Sequence, residues 1–426
     1  MKIKTIKARQ IIDSRGLPTL EAEVHCENGW GRAAIPSGAS TGMHEAHELR
    51  DGGEGFAGKA VTKAVANIEG EIANAIVGMQ ADDQFKIDNT MLELDGTENK
   101  ERLGANAILG VSLAVAHAAS GIRNIPLYKQ INDIAGNPKM SIPMPMFNVL
   151  NGGQHARQAS DFQEYMLIAK NAKSYTEAVF VVAEIYSSLK KLLKEKNLST
   201  NLGDEGGFAP SVSSNTETLD LLVTAVEATR FKLGTDIVFG LDVAAAEFLK
   251  DGNYELKAEG RSLSADELID YYVEITKKYP IVSLEDGLGE DEWADWQKLT
   301  TKLPDLQLVG DDILVTNPTR LQKAIEEKAG NSILIKPNQI GTLTETLHTI
   351  KKAHDSGWST VISHRSGETE DVTIAHLAVG ANLGQIKTGS TARGERTAKH
   401  NELIRIEDMN MELKIHHPFQ VFDSSI

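Results

Sequence analysis

Apolar and polar positions along this chain follow two different periods, and the change of period marks out its organisation. Over residues 1 to about 36, short alternating runs predict a β-meander. Val24-His25-Cys26 leads into Asn28-Gly29, and a second run follows through Ile35. Asn-Gly between two such runs predicts a hairpin, because both residues tolerate positive φ. From about 58 to 130 the pattern turns helical and rich in alanine. Gly136, Pro138, Pro143 and Pro145 then interrupt regular structure. The predicted units are a smaller α+β domain over 1–136 and a second domain over 137–426.

The second unit alternates short, continuously apolar runs with helical stretches. Val238–Leu241 ends at Asp242, Ile281–Leu284 at Glu285, Leu306–Gly310 at Asp311, and Ser332–Ile335 at Lys336. Thr360–Ser363 leads to His364 and Arg365, and Gln385-Ile386 ends at Lys387. Runs of this kind suit strands buried on both faces, as in parallel sheets. Helix starts lie between them: Ser264 with Glu267 and Thr342 with Glu345 as capping boxes, and Asn317 before Pro318. An open doubly wound sheet would alternate in the same way. Charged residues recurring at successive C-terminal strand ends favour an α/β barrel of the TIM type, where they converge on one mouth.

Composition narrows the function classes. The chain has 426 residues, 41% hydrophobic and 24% charged, with a formal net charge of −16. That balance argues against nucleic acid, which needs Lys and Arg to neutralise phosphates. Small anionic substrates stay open, since bound cations reverse the sign within one cleft. A lone cysteine, Cys26, excludes an internal disulfide. The N-terminus carries no secretory pattern, and the apolar stretch Leu103–Ile122, with its glycines and alanines, reads as a packed core helix rather than a membrane span. A cytoplasmic location is expected.

Asp242, Glu285 and Asp311 stand at three strand ends. Singly, each reads as a helix cap or an ion-pair partner. Together they repel one another unless a cation joins them, and hard oxygen ligands suit Mg²⁺. Lys336 ends a buried strand, where lost hydration lowers its pKa and makes it a candidate base; a lysine that neutralises an acid is the competing reading. Lys387 ends a similar strand. Arg365 and Ser366 at another strand exit make a phosphate seat.

These residues carry a resemblance. The run Ser37-Gly-Ala-Ser-Thr-Gly42 with Glu45 and Glu48-Leu-Arg-Asp51 resembles the mobile loop of enolases. So do Asn151-Gly-Gly-Gln-His155, Phe162-Gln-Glu164, Gly203-Asp-Glu-Gly-Gly-Phe-Ala-Pro210, Leu241-Asp-Val-Ala-Ala245 and Ser283-Leu-Glu-Asp286. Lys336-Pro-Asn-Gln-Ile-Gly341, Ser363-His-Arg-Ser-Gly-Glu368 and Ile386-Lys-Thr-Gly389 complete the set. The motifs run in the family's order from Asp13-Ser-Arg-Gly16 almost to the C-terminus. Leu17, Ala246 and Gly394 depart from residues common in the family, and none removes a catalytic group.

The resemblance implies a hydro-lyase of glycolysis that interconverts 2-phosphoglycerate and phosphoenolpyruvate. Lys336 would take the proton from carbon 2. Glu205 would be the general acid, supported by Gln163 and Glu164. Asp242, Glu285 and Asp311 would ligate a first Mg²⁺ and Ser40 a second, giving two per site during turnover. Arg365 and Ser366 would bind phosphate, His155 would lie near the substrate, and Lys387 would contact its carboxylate. A homodimer or an octamer of dimers is implied, and a secondary cell-surface or secreted pool is compatible. Another metal-dependent enolising enzyme, such as an acid-sugar dehydratase or racemase, would lack the phosphate seat and the loop at 37–42. A binding protein built on the same fold would have lost a ligand or the base.

Overall fold

The computed structural model describes residues 1–39, 41–153 and 160–419. The N-terminal alternation forms β1 (Ile3–Ile12), β2 (Pro18–Cys26) and β3 (Gly29–Ala34), an antiparallel sheet in that order. In β2, Leu20, Ala22 and Val24 are buried, while Glu21 and Glu23 bind the Arg9 guanidinium. The expected hairpin forms, with Cys26 opposite Gly29. The reason differs from the expected one, since neither Asn28 nor Gly29 takes a positive φ. Gly29 makes room instead: a Cβ there would lie 2.7 Å from Ile122 Cγ1. Ile122 belongs to the helix Ala105–Arg123, which packs on the sheet. Of that helix's most apolar window, 83% is buried inside the fold, as in a core helix.

The remaining strands begin with β4 (Met144–Asn151), β5 (Glu164–Ile168) and β6 (Val238–Asp242). A small antiparallel sheet follows, of β7 (Leu249–Lys250), β8 (Asn253–Leu256) and β9 (Arg261–Leu263). The chain then returns with β10 (Ile281–Glu285), β11 (Gln307–Gly310), β12 (Ser332–Ile335), β13 (Ser359–Ser363) and β14 (Gly384–Lys387). Strands β10 to β14, β4, β5 and β6 pair in that order into a closed eight-stranded barrel. Nearly all their residues are buried, which explains the continuous apolar runs. The lumen is packed: Gln307 Nε2 donates to Ser283 Oγ and to Gln385 Oε1, both at 3.0 Å.

The barrel is not wholly parallel, and this corrects the sequence expectation. β5 runs antiparallel to both β4 and β6. A parallel return usually takes a crossover helix, whereas an antiparallel neighbour needs none.

The helix starts form where the sequence implies, although the Thr342–Glu345 box is only half made, with Glu345 Oε2 on the Thr342 hydroxyl. Ser264 and Glu267 make a full capping box, and Asn317 accepts the amides of Thr319 and Arg320. Thr342 accepts the Glu345 amide at the head of helix Leu343–Asp355. Residues before the barrel reach the same helix end. Asp88 Oδ2 accepts the Thr344 amide at 3.0 Å and its hydroxyl at 2.6 Å, and Ser112 Oγ accepts the Leu343 amide at 3.0 Å.

Candidate active site

The strand register gathers the predicted residues. Glu164 opens the reversed β5 and lies opposite Asp242, the last residue of β6. Asp242 in turn lies beside Glu285, the last residue of β10. Asp311 and Lys336 directly follow β11 and β12, and Lys387 ends β14 beside Ser363. One cleft is lined by Gln163, Glu164, Glu205, Asp242, Asp311, Lys336, Arg365, Ser366 and Lys387. Glu285 reaches the same group through Lys387. Ser40 and His155 lie outside the described residues.

Lys387 is fully enclosed by acids. Its Nζ lies 2.6 Å from Glu285 Oε1, 2.9 Å from Asp242 Oδ2 and 3.3 Å from Glu164 Oε1. Burial works against its charge, yet Asp242, Glu164 and Glu285 hold its pKa well above the ordinary lysine value. Burial and the charge of Asp242 push the Glu285 carboxyl well up.

Lys336 Nζ is bonded to Asp311 Oδ2. The sequence expectation of a depressed lysine is not met. Burial pushes Lys336 down, helped by Arg365 and Lys387, but Asp311 and Asp312 prevail and its pKa is raised. Burial pushes Asp311 up, yet Lys336 and Lys387 bring it below the usual carboxylate value. Asp312 goes well up through burial and the charge of Asp311. Of this acidic pair, Asp311 is therefore the one held ionised. Both backbone amides are fixed by Asp286, whose carboxylate accepts them at 2.7 and 2.8 Å.

The donor set fits a hard divalent cation. Among the described residues, seven carboxylates and three basic side chains form the cleft and its floor. Glu164 Oε2 and Glu285 Oε2 are buried and have no hydrogen-bond partner among the described residues. Two groups bring ligand atoms within 4.8 Å of one another, Glu164–Glu205–His364 and Asp286–Asp311–Asp312. The predicted triad is divided between the two lysines, with Asp242 and Glu285 on Lys387 and Asp311 on Lys336.

Arg365 and Ser366, the expected phosphate seat, meet the loop from the N-terminal part. Arg365 donates to Glu45 Oε1 at 3.0 Å, to Glu45 Oε2 at 3.1 Å and to Asn338 Oδ1 at 3.1 Å. Ser366 Oγ accepts the Ala39 amide at 3.3 Å. Ser37 and Gly367 exchange backbone hydrogen bonds of 2.8 and 2.9 Å. Farther along, the Met43 amide donates to Glu290 Oε2 and His44 Nε2 meets Asp291, both at 3.0 Å. These contacts fasten both sides of residue 40 to the barrel mouth.

Glu205 sits in the turn Gly203–Gly207, between the helices Tyr175–Glu195 and Asn215–Glu227. Gly206 follows it with φ +86°, a conformation that favours glycine. Asn148 Nδ2 donates to Glu205 Oε2 at 2.8 Å. Burial and the charge of the neighbouring Glu205 push the Glu164 carboxyl well up, against the pull of Lys387.

Sequence reasoning missed several members of the site. Asn148, a polar residue inside the fully buried β4, was the legible signal. Asp286 and His364 lay within quoted motifs, but neither residue type at that position specifies a role without its neighbours. His364 is buried and its Nε2 is 3.5 Å from Glu205 Oε1.

Two family models and a curated relative match the chain. The model described as "Enolase, N-terminal domain" matches residues 3–131, and that described as "Enolase, C-terminal TIM barrel domain" matches residues 139–421. A curated enolase from Rubrobacter xylanophilus is 56% identical over 411 residues, covering 96% of this chain and 95% of the relative. With the barrel, the acid-lined mouth and matches along nearly its whole length, the chain belongs to the enolase family.

Proposed function

We propose that this chain is a phosphopyruvate hydratase that reversibly dehydrates 2-phosphoglycerate to phosphoenolpyruvate in glycolysis and gluconeogenesis, with Lys336 as base and Glu205 as acid. The observation that carries this reading is the presence of Lys336, Glu205 and Arg365 in one cleft crowded with carboxylates. The proton on carbon 2 is barely acidic, because the adjacent carboxylate gains further negative charge as it leaves. Asp242, Glu285 and Asp311 would hold one Mg²⁺ and Ser40 a second; when bound, Mg²⁺ supplies electrostatic stabilisation of that charge. As a metal ligand Asp311 would no longer be spent on Lys336. Burial, Arg365 and Lys387 then remain to depress the amine toward a useful base, opposed by Asp312.

Glu205 protonates the departing hydroxyl. Glu164 and Gln163 support that corner, with His155 near the substrate. Arg365 and Ser366 take the phosphate, and Lys387 faces the carboxylate. The division of the chain at 136/137 follows the stretch 137–141, which forms neither helix nor strand. A cytoplasmic homodimer or octamer of dimers is the assembly this reading carries.

The test is to mix the purified protein with 2-phosphoglycerate and Mg²⁺ and follow phosphoenolpyruvate. No product from folded, metal-loaded protein overturns the activity. Lys336→Ala is expected to lower kcat by about 10³-fold with the fold intact by circular dichroism. Near-normal turnover would remove Lys336 from the base role.

A further inference from the structure

Arg396 is among the largest side chains with no exposed surface. It lies in the first turn of the helix Gly394–Met409. Nη1 donates to His364 Nδ1 and to the Arg365 carbonyl, both at 2.6 Å. Nη2 donates to the Ser366 carbonyl at 2.7 Å and to the Asp204 carbonyl at 3.0 Å. One guanidinium therefore ties the turn that carries Glu205 to the segment that carries the phosphate seat, and grips the histidine between them.

The chemistry of the donor decides the state of that histidine. A guanidinium has only N–H donors, so His364 Nδ1 must accept. The neutral ring then carries its proton on Nε2. An imidazolium would set Nδ1–H against an arginine N–H. His364 Nε2 lies 3.5 Å from Glu205 Oε1, while Asn148 holds Oε2 at 2.8 Å. Burial pushes the His364 imidazole down to about 4, against the pull of Glu205.

We propose that Arg396 is a positioning residue that fixes His364 as the neutral Nε2–H tautomer, so that His364 presents a standing donor to the Glu205 carboxyl. The proposal rests on the reading of Glu205 as the acid. In the dehydration direction Glu205 gives its proton to the leaving hydroxyl and becomes a carboxylate. His364 Nε2, buried and without a hydrogen-bond partner among the described residues, faces that charge with its N–H from 3.5 Å and transfers no proton itself. Bonds to carbonyls alone would only staple the loops; the fourth acceptor, a ring nitrogen, gives Arg396 control of the acid's surroundings.

The direct test is ¹⁵N NMR of histidine-labelled, full-length protein at neutral pH, with His364 assigned by the resonances lost in His364→Gln. A bare Nδ1 and a protonated Nε2 are expected. A protonated Nδ1, or an imidazolium, overturns the proposal. Kinetics supply a second reading. Arg396→Met is expected to lower kcat about 10²-fold with KM within about threefold and to move the pH limb that reports the acid, while Arg396→Lys, which keeps a donor, recovers at least about tenfold. Should Arg396→Met not fold, His364→Gln, which keeps a donor near the Nε2 position, is compared with His364→Leu. Greater retention of kcat in the glutamine variant supports the proposal, and equal losses overturn it. Failure of the wild type to dehydrate 2-phosphoglycerate would instead remove the reading of the site, leaving the tautomer to the NMR result.

Discussion

Arg365 and Glu45 meet as guanidinium and carboxylate through two parallel contacts, at side chains only 3% and 9% exposed. A guanidinium offers the same fork to a phosphate, so on the proposed function Glu45 would hold Arg365 in the plane that phosphate recognition uses. Glu45 also accepts the Gly42 amide at 3.2 Å, which links the loop to that fork. Glu45→Ala is therefore expected to raise KM for 2-phosphoglycerate about tenfold, with a smaller fall in kcat, measured by initial rates. An unchanged KM would make Glu45 a bystander. Lys336 shows the limit of reasoning from one residue's own segment. Burial does push it down, as its strand predicts, but its acidic partner comes from the next strand of the ring and decides the sign.

At the scale of elements, the helix Leu343–Asp355 begins against a carboxyl from the N-terminal part. Burial pushes Asp88 up to about 6 from 3.8, despite its bonds to Thr344, Ser112 and Gln84. A carboxyl whose folded pKa is raised supports the fold while protonated; that support is complete below about 3.8 and lost as pH rises through about 6. Asp88→Asn cannot ionise. Between about pH 3 and 7, its stability by urea unfolding is expected to gain on the wild type by about 3 kcal/mol. Parallel curves would show that Asp88 does not titrate there. Most strands were legible because burial on both faces leaves an uninterrupted apolar run, and the first charge after it marks the mouth. Direction was not legible. Glu164-Tyr-Met-Leu-Ile168 reads alike either way. Asn28-Gly29 gave the hairpin for a reason of φ, whereas the glycine answers to Ile122 on a helix far along the chain.

The whole molecule carries −16 and concentrates acids at one end of its barrel. A cation bound there by the folded chain alone stabilises it by mass action, about 2.7 kcal/mol at a hundredfold excess over Kd. Mg²⁺ is expected to raise Tm by about 3 °C, and a chelator to reverse the rise. Glu285→Gln should abolish most of the shift; a full shift in that variant would exclude Glu285 as a ligand. Glu205 entered the sequence reading through the family motif alone, because it ends no strand, and the reversed β5 explains how it still arrives. Consider each strand or helix as one passage along the barrel axis. In a strand–helix repeat every upward passage is a strand, so every crest of the path is a strand's end. Reversing β5 shifts the parity of the passages that follow. Helix Tyr175–Glu195 now climbs, helix Asn215–Glu227 descends, and the crest between them is a turn from helix to helix. One inverted strand thus gives the catalytic end a crest built without strand geometry, free to carry glycines on both sides of its acid.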